Sequence, residues 1–226
     1  MDNAVYWFEQ TAAELPDNDA WLTVGESARL CMLRFPKRRA DWRLGRWTAK
    51  RAVAAILRLP SLGAVEIRSA TSGAPEAFVA GGAAPVTISL SHRADVAVCA
   101  VAGPGVALGC DIELVEPRCD LFGADYFTTK EQAFVEGAPA ADRLRLLTLL
   151  WSAKESVLKA LGEGLRLDTR CVSTVPSGFA VPGGSTWRPL VACYCGREFR
   201  GWWRLMDDLV RTVVAVPSHG PPETLR

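Results

Sequence analysis

Two short charged segments inside apolar stretches carry the residue types best suited to chemistry. The first, Gly-Cys-Asp-Ile-Glu at 109–113, places Asp111 and Glu113 on one face of a predicted strand. The second, at 151–159, contributes Lys154, Glu155 and Lys159 on a predicted helix. Buried charges are costly unless they are paired or bound to a metal. Because carboxylate oxygens suit Mg²⁺ and lysines suit phosphate, the pattern predicts a site for a metal-bound pyrophosphate.

This ordered pair of motifs resembles the surfactin-synthetase-activating (Sfp-type) 4′-phosphopantetheinyl transferases, which read G-[IV]-D-[IV]-E and W-x-x-K-E-[AS]-x-x-K. The second motif matches in full, and the first departs only at Cys110, a small hydrophobe. The resemblance covers the chain from about residue 34 to residue 167. It implies Mg²⁺ ligands at Asp111, Glu113 and Glu155. It also implies catalytic roles for Asp111, Glu155 and Lys159, with Lys154 and Lys159 holding the pyrophosphate.

Two further segments resemble the coenzyme A-binding parts of that family. Ser-Leu-Ser-His at 89–92 matches its S-x-S-H motif, which implies that Ser91 and His92 contact coenzyme A. Residues 29–58 contain ten Arg and Lys against one acid. This basic segment implies a site for the 3′-phosphate, and the sequence leaves the choice open among Arg39, Arg43 and Arg46. Many members have Gly-Lys-Pro where this chain has Gly-Ala-Pro at 73–75, so that lysine contact is missing.

Composition limits the other classes of protein. The 226 residues are 49% hydrophobic and carry a net charge of +1, which excludes a molecule that is basic overall. The seven cysteines lack a paired CxxC pattern, and this favours reduced thiols. The beginning of the sequence is acidic rather than signal-like, and no apolar run reaches membrane-spanning length. We therefore expect a cytoplasmic monomer with neither a membrane nor a nucleic acid as partner.

The local pattern predicts where helices and strands lie. We expect a helix over 17–30 capped by Asp17 or Asn18, a basic loop at 34–39, and helices over 41–57 and 141–160. Thr128 and Glu131 form a predicted capping box. Predicted strands are 65–68, 86–90, 96–101, 106–114, 171–175, 189–194, 198–205 and 210–216, followed by a frayed tail.

Helices followed by strands occur twice, with a junction near 103–108, so the predicted class is α+β. The resemblance implies two similar α+β halves related by a pseudo-two-fold, with the site in the cleft between them. Residues 1–105 would bind coenzyme A, and residues 106–226 would supply the metal site and catalysis. We expect no repeat at the level of residues.

The resemblance implies transfer of 4′-phosphopantetheine from coenzyme A to a serine of an acyl or peptidyl carrier protein, in polyketide or nonribosomal peptide biosynthesis. Glu155 is the candidate general base. Two alternatives remain open: a metal-dependent nucleotide pyrophosphohydrolase, and a nucleic-acid-binding module built on residues 34–58. For docking of an acidic carrier protein we expect Arg143 and Arg145, with apolar anchors at 121–122 and 126–127.

Overall fold

The computed structural model describes residues 4–176 and 184–225 and has a mixed α+β fold, which confirms the predicted class. The helices are α1 (Val24–Met32), α2 (Pro36–Leu57), α3 (Phe122–Tyr126), α4 (Thr129–Gly137) and α5 (Ala140–Ala160). The strands are β1 (Tyr6–Thr11), β2 (Val65–Ser69), β3 (Pro75–Val79), β4 (Gly82–Ala83), β5 (Thr87–Arg93), β6 (Val96–Ala102), β7 (Ala107–Leu114), β8 (Val172–Pro176), β9 (Gly184–Tyr194), β10 (Arg197–Met206), β11 (Leu209–Val216) and β12 (Glu223–Thr224). Among the helices so described, none is long and apolar enough to cross a bilayer.

The strands form three sheets, and the two larger ones share an inner core. Their orders are β12-β1-β6-β5 and β7-β11-β10-β9-β8, and the third sheet is β2-β3-β4. Trp7 and Val98 of the first sheet pack with Cys110 and Val213 of the second. The outer faces are covered by the long helices, α2 on the first sheet and α5 on the second. Strand β6 is thus buried on both faces, which explains its continuous apolar sequence.

Two helix starts differ from the sequence prediction. Helix α2 begins at Pro36, because proline suits the first turn of a helix, so most of the predicted basic loop is helical. Helix α1 is capped by Thr23 through a capping box with Glu26, rather than by Asp17 or Asn18. Because α2 is helical from Pro36 onward, each of its cations lies on a defined face of the helix.

Strands β5 and β7 bring the edges of the two larger sheets together. The backbone N–H of Cys110 donates to Ser89 Oγ at 3.0 Å. The thiol of Cys110 donates to the carbonyl of Ser89 at 3.1 Å. Ser89 and Ser91 are two residues apart on β5, so they face the same side and both reach toward β7. This seam is where the functional residues converge.

The last part of the chain is ordered against the first strand. Glu223 N donates to Val5 O at 2.9 Å, and Leu225 N donates to Trp7 O at 2.8 Å. Strand β12 pairs in parallel with β1. The predicted frayed tail is therefore wrong, because these residues satisfy the backbone groups on the outer edge of β1.

Candidate active site

Asp111 lies where β5, β7 and the end of α5 meet. One carboxylate oxygen, Oδ1, accepts from Ser91 Oγ at 2.7 Å and from Lys159 Nζ at 2.8 Å. Lys159 Nζ also donates to Cys110 O at 3.0 Å. Burial disfavours the charge on Lys159, but Asp111 outweighs this effect and the pKa of Lys159 is raised. Ser91, which is predicted to contact coenzyme A, donates to Asp111 and so orients its carboxylate.

Gly109 allows α5 to approach β7 closely enough for that contact. A Cβ added at Gly109 would lie 1.8 Å from Ser156 O and 2.7 Å from Ala160 N. Both atoms belong to the backbone of α5, so a side chain at 109 would force the helix and the strand apart. The glycine of the first motif thus sets the distance between Asp111 and Lys159.

Two carboxylate oxygens at this seam are buried without a hydrogen-bond partner in the described part of the chain. They are Asp111 Oδ2 and Glu155 Oε1. Burial raises the pKa of Glu155 to about 7, and the charges of Asp111 and Glu113 add to this while Lys159 opposes it. Unpaired buried oxygens beside like charges are the arrangement that a bound divalent cation relieves. Asp111 and Glu155 therefore fit the predicted Mg²⁺ site.

Glu113 does not join them in this arrangement. Its Oε2 accepts from Arg118 Nη2 at 2.9 Å and lies 3.7 Å from Arg93 Nε. Its Oε1 accepts from Trp151 Nε1 at 3.0 Å. Among the described residues no group of three or more His, Cys, Asp or Glu is placed to hold a metal ion. The predicted three-carboxylate site is thus not preassembled, because nearby donors occupy both oxygens of Glu113.

A cleft of about 630 Å³ opens between the two halves beside Lys159. One wall is the 72–78 segment, which includes Gly73, Ala74 and Pro75, and the other includes the end of α5. Ser89 and Leu90 line its floor on β5. The cleft is large enough for a cofactor-sized ligand and leads to the carboxylate cluster.

His92 faces the first turns of α2 across a smaller cavity of about 100 Å³. Lys37, Asp41 and Arg93 also line this cavity. Partial removal of the ring from water lowers the pKa of His92, and the charge of Asp41 opposes that effect. Because His92 is exposed, solvent moderates the shift. A neutral imidazole beside a lysine can take up a proton from solution when a phosphate binds next to it.

Sequence comparison relates this chain to proteins of known activity. The family model described as the 4′-phosphopantetheinyl transferase superfamily matches residues 107–213, the span that holds both charged motifs. The 4′-phosphopantetheinyl transferase AcpT of Salmonella typhimurium is 32% identical over 146 residues, which cover 64% of this chain and 70% of AcpT. This chain belongs to the 4′-phosphopantetheinyl transferase superfamily.

Two further proteins resemble this chain at lower sequence identity. The 4′-phosphopantetheinyl transferase HetI of Nostoc sp. is 27% identical over 162 residues, which cover 70% of this chain and 66% of HetI. The chain thus spans about two thirds of the length of these curated relatives. A holo-(acyl-carrier-protein) synthase from Bacillus anthracis, crystallised with CoA (3′,5′-ADP), is 20% identical with a TM-score of 0.38. That similarity covers 44% of this chain and 93% of the synthase.

Lys154 of the superfamily's second motif does not face the carboxylate cluster. It is fully buried, and its Nζ lies 2.8 Å from Glu131 Oε2. The same ammonium donates to Thr169 O at 3.0 Å and to Val172 O. The predicted contact with pyrophosphate would require some of these bonds to break, because all three protons of the ammonium have partners inside the protein.

The arginines predicted to bind the 3′-phosphate lie on the side of α2 that is opposite His92. Arg39 donates to Leu30 O at 2.8 Å, and Arg43 donates to Asp19 at 2.7 Å. Arg46 stacks over a tryptophan ring at 5.0 Å, and burial lowers its pKa while Glu26 opposes this effect. At 100° per residue, positions 39, 43 and 46 lie opposite positions 37, 41 and 44, which face His92. The arginine stripe anchors the segment that precedes α2.

Three cations near the site were missed in the sequence. Lys37 was assigned to a loop, although proline at 36 is a helix-start signal that would have placed Lys37 and Asp41 one turn apart. Arg118 lies in the loop after β7, and no local pattern indicates that it reaches Glu113. Arg93 directly follows the S-x-S-H segment, and it pairs with Glu116 and lies 3.7 Å from Glu113 Oε2.

Proposed function

We propose that this protein transfers the 4′-phosphopantetheine group of coenzyme A to a serine hydroxyl of an acyl or peptidyl carrier protein and releases 3′,5′-ADP. The proposal belongs to the Sfp-type branch of the superfamily, whose two charged motifs this chain carries. The observation that supports it best is the pair of unpartnered buried oxygens on Asp111 and Glu155 beside Lys159, at the end of a cofactor-sized cleft. The names of the curated relatives support the same activity.

Asp111 and Glu155 would hold Mg²⁺, and Glu113 would join them after leaving Arg118. When bound, the cation supplies positive charge for the pyrophosphate oxygens and so stabilises charge that develops during phosphoryl transfer. Lys159, held over the seam by Asp111, would donate to the pyrophosphate and to the leaving oxygen. The protein's own residues would thus bind the pyrophosphate, orient it and neutralise its charge.

The serine Oγ of the carrier protein would attack the β-phosphorus, and the bond from that phosphorus to the bridging oxygen would break. The leaving group is 3′,5′-ADP, and Lys159 faces its developing charge. Glu155 would accept the serine proton, directly or through a water molecule. The raised pKa of about 7 belongs to the carboxyl without a cation, and Mg²⁺ would lower it, so the base would be the Glu155 oxygen that does not face the cation.

The nucleotide end of coenzyme A would occupy the cleft along 72–78, with the 3′-phosphate between His92 and Lys37. This assignment replaces Arg39, Arg43 and Arg46, whose guanidinium groups contact residues 16–33 or lie on that side of α2. Charge-assisted bonds to phosphate contribute about 1.5–3 kcal/mol each. Loss of Lys37 should therefore weaken coenzyme A and spare dephospho-coenzyme A, whereas loss of its exposed neighbour Arg38 should spare both.

Mass spectrometry of a panel of apo carrier proteins, incubated with coenzyme A and Mg²⁺, tests the function. We expect a mass increase on the acceptor serine of at least one carrier protein, and none with a Ser→Ala acceptor or in EDTA. Coenzyme A cleavage that needs no acceptor would favour the pyrophosphohydrolase instead. The nucleic-acid alternative was based on the cations of residues 34–58. Two of these, Arg39 and Arg43, donate to other residues of the fold.

A further inference from the structure

The two long helices carry related segments around one buried lysine each. Helix α2 reads Trp-Thr-Ala-Lys-Arg-Ala-Val at 47–53, and α5 reads Trp-Ser-Ala-Lys-Glu-Ser-Val at 151–157. Tryptophan, alanine, lysine and valine are identical, and two other positions exchange small residues. The expectation of no residue-level repeat was wrong. The repeat is short, and it is recognised once Lys50 and Lys154 are seen to occupy the same environment.

In the first half, Lys50 joins three elements. Its Nζ lies 2.5 Å from Glu26 Oε2, and the two side chains are 0% and 3% exposed. Glu26 is the acidic member of the capping box that Thr23 opens on α1. Its other oxygen accepts from the backbone N–H of Ile67 on β2 at 3.0 Å. One ion pair therefore connects the long helix, the capped helix before it and the first strand after it.

In the second half, Lys154 makes the corresponding ion pair, in addition to its bonds to Thr169 O and Val172 O. Its Nζ lies 2.8 Å from Glu131 Oε2, and the two side chains are 0% and 5% exposed. Glu131 is the acidic member of the capping box that Thr128 opens on α4. Its other oxygen accepts from the backbone N–H of Thr174 on β8 at 2.9 Å. The elements are again the long helix, the capped helix before it and the first strand after it.

The positions that follow each lysine differ between the halves. Glu155 and Lys159 of α5 correspond to Arg51 and Ala55 of α2. Arg51 stacks over the rings of Phe8 and Trp47, at 5.3 and 5.8 Å. The buried lysine is thus shared by both halves, whereas the carboxylate and the second lysine belong to α5 alone.

We propose that the Lys154–Glu131 pair is a positioning device that fixes the rotation of α5, so that Glu155 and Lys159 face Asp111, and that Lys154 makes no contact with coenzyme A. Lys50–Glu26 is its counterpart, which fixes α2 so that Lys37 faces His92. The inference rests on the proposed function for its catalytic readout. Its physical basis is that a buried ion pair sets one geometry for the elements it joins.

Paired substitutions separate positioning from ligand binding. Lys154→Met leaves Glu131 buried without its cation and should lower both the Tm and kcat. Adding Glu131→Gln removes that charge, and its one amide oxygen replaces Oε1 as the acceptor from Thr174 N, whereas the bond from Thr128 N to Oε2 is lost. We expect K154M to lower kcat at least about tenfold and K154M/E131Q to return to within about threefold of wild type, with KM for coenzyme A within about twofold throughout.

A lysine that held pyrophosphate could not be replaced in this way. If K154M/E131Q regains the Tm but not kcat, or if its KM for coenzyme A rises about tenfold or more, the proposal is overturned. Unchanged Tm and kcat in K154M would overturn it too. If K154M fails to fold, the double variant alone decides between these outcomes.

The first half supplies the matched control. K50M should lower the Tm as K154M does, and adding E26Q should restore it. Because Lys50 positions α2 and not α5, both variants should keep kcat at saturating coenzyme A within about twofold of wild type. A loss of kcat in K50M equal to that in K154M would show a general effect of destabilisation and would contradict a specific positioning role.

A measurement of cation binding tests the positioning role of Lys154 independently of the proposed function. Failure of the wild type to modify any carrier protein would sink the proposed function. The positioning role would then be read from Mn²⁺ titration, since Asp111 and Glu155 must face each other to share a cation. K154M should weaken Mn²⁺ binding at least about threefold, and K154M/E131Q should restore it. Equal affinity in all three proteins overturns the inference.

Discussion

Arg118 Nη2 donates to Glu113 Oε2 at 2.9 Å, and both side chains are 17% exposed. Trp151 Nε1 holds the other oxygen of the same carboxylate. Glu113 can therefore become a cation ligand only by leaving an ion pair. The first motif places the third carboxylate on the same strand as Asp111, but this carboxylate can bind a cation only after its ion pair with Arg118 breaks.

Replacing Arg118 should strengthen cation binding. A partly exposed ion pair contributes about 0.2–1 kcal/mol, so Arg118→Gln should tighten Mn²⁺ binding by up to about fivefold. Isothermal titration of the protein without coenzyme A measures this. Arg200→Gln is the matched control, because it breaks an exposed pair with Glu198 on β10. Unchanged or weaker Mn²⁺ binding in Arg118→Gln would show that the arginine does not compete with the cation.

Stability without metal should depend on pH through Glu155. Its pKa is raised from 4.5 to about 7 in the folded protein, mainly by burial. The folded state therefore keeps a proton that the unfolded state loses above about pH 4.5, and the free energy of unfolding falls as pH rises to about 7. At about 1.4 kcal/mol per pKa unit the loss is at most about 3 kcal/mol, and less where solvent reaches the carboxyl.

Glu155→Gln removes this dependence, because glutamine resembles the protonated form. In EDTA, the difference in unfolding free energy between E155Q and the wild type should grow from pH 5 to pH 8 in urea denaturation. Mg²⁺ at pH 8 should narrow the difference by stabilising the wild type. A difference that stays constant across this pH range would contradict the assigned ionisation of Glu155.

Substitution by alanine should change the unfolding free energy in opposite directions at Gly109 and Gly45. A Cβ at Gly109 would lie 1.8 Å from Ser156 O, so Gly109→Ala should lower the unfolding free energy by about 1–3 kcal/mol or more and move Lys159 from Asp111. A Cβ at Gly45 meets no atom within 4 Å among the described residues. Gly45→Ala in the helix interior should therefore raise stability by about 0.5–1 kcal/mol. Urea unfolding of both variants tests the pair, and a stable, active Gly109→Ala would contradict the close helix–strand contact.

Coenzyme A binding should take up a proton at His92. Partial burial lowers the pKa of His92, so the free imidazole is neutral at pH 7, and a 3′-phosphate beside it would favour the charged form. Titration calorimetry at pH 7 in buffers of different ionisation enthalpy should show proton uptake with coenzyme A. The uptake should be smaller with dephospho-coenzyme A and absent in His92→Gln. Equal uptake for both ligands in the wild type would place the phosphate elsewhere.

Local signals in the sequence predicted local structure well. The capping box at Thr128 and Glu131 and the long helix over 140–160 are confirmed, because capping and helical periodicity act within a few residues. Strand β1 was missed. Its polar Glu9 accepts from Arg211 at 2.8 Å, and that arginine comes from the other half of the chain. A polar residue satisfied by a distant partner gives no local sign that its strand is buried.

The difference between local signals and nonlocal contacts also explains what could be predicted of the site. Motif spacing predicted that Asp111, Glu155 and Lys159 converge, and the structure places Lys159 on Asp111 with Glu155 close enough for their charges to act on each other. The partners of Lys154 and Glu113 lie on other elements, so the sequence could not show that both groups are already paired. A motif thus identifies the chemistry, whereas nonlocal contacts decide which members are free to perform it.

Only some of the anchors predicted for docking of a carrier protein are exposed. Phe122 and Phe127 are buried, and Arg143 donates to Ala138 O and Glu136 O. Leu121 is 67% exposed and Arg145 is exposed. Leu121 directly precedes Phe122, whose ring packs on Trp151 at 5.2 Å, and Trp151 Nε1 donates to Glu113. We therefore expect Leu121 and Arg145 to contact an acidic carrier protein whose serine must reach the carboxylates of the candidate Mg²⁺ site.

Leu121→Ser and Arg145→Glu should therefore raise the KM for the carrier protein and leave the KM for coenzyme A unchanged. Added salt should raise the carrier-protein KM in the wild type and less so in Arg145→Glu, because screening acts on a charge pair that the variant has lost. Val24→Ser is the matched control, since Val24 is 89% exposed on α1 in the other half. Steady-state kinetics with one modified carrier protein measure all three variants. If Val24→Ser has the larger effect, or if Leu121→Ser and Arg145→Glu keep the wild-type KM, the carrier protein docks on a different surface.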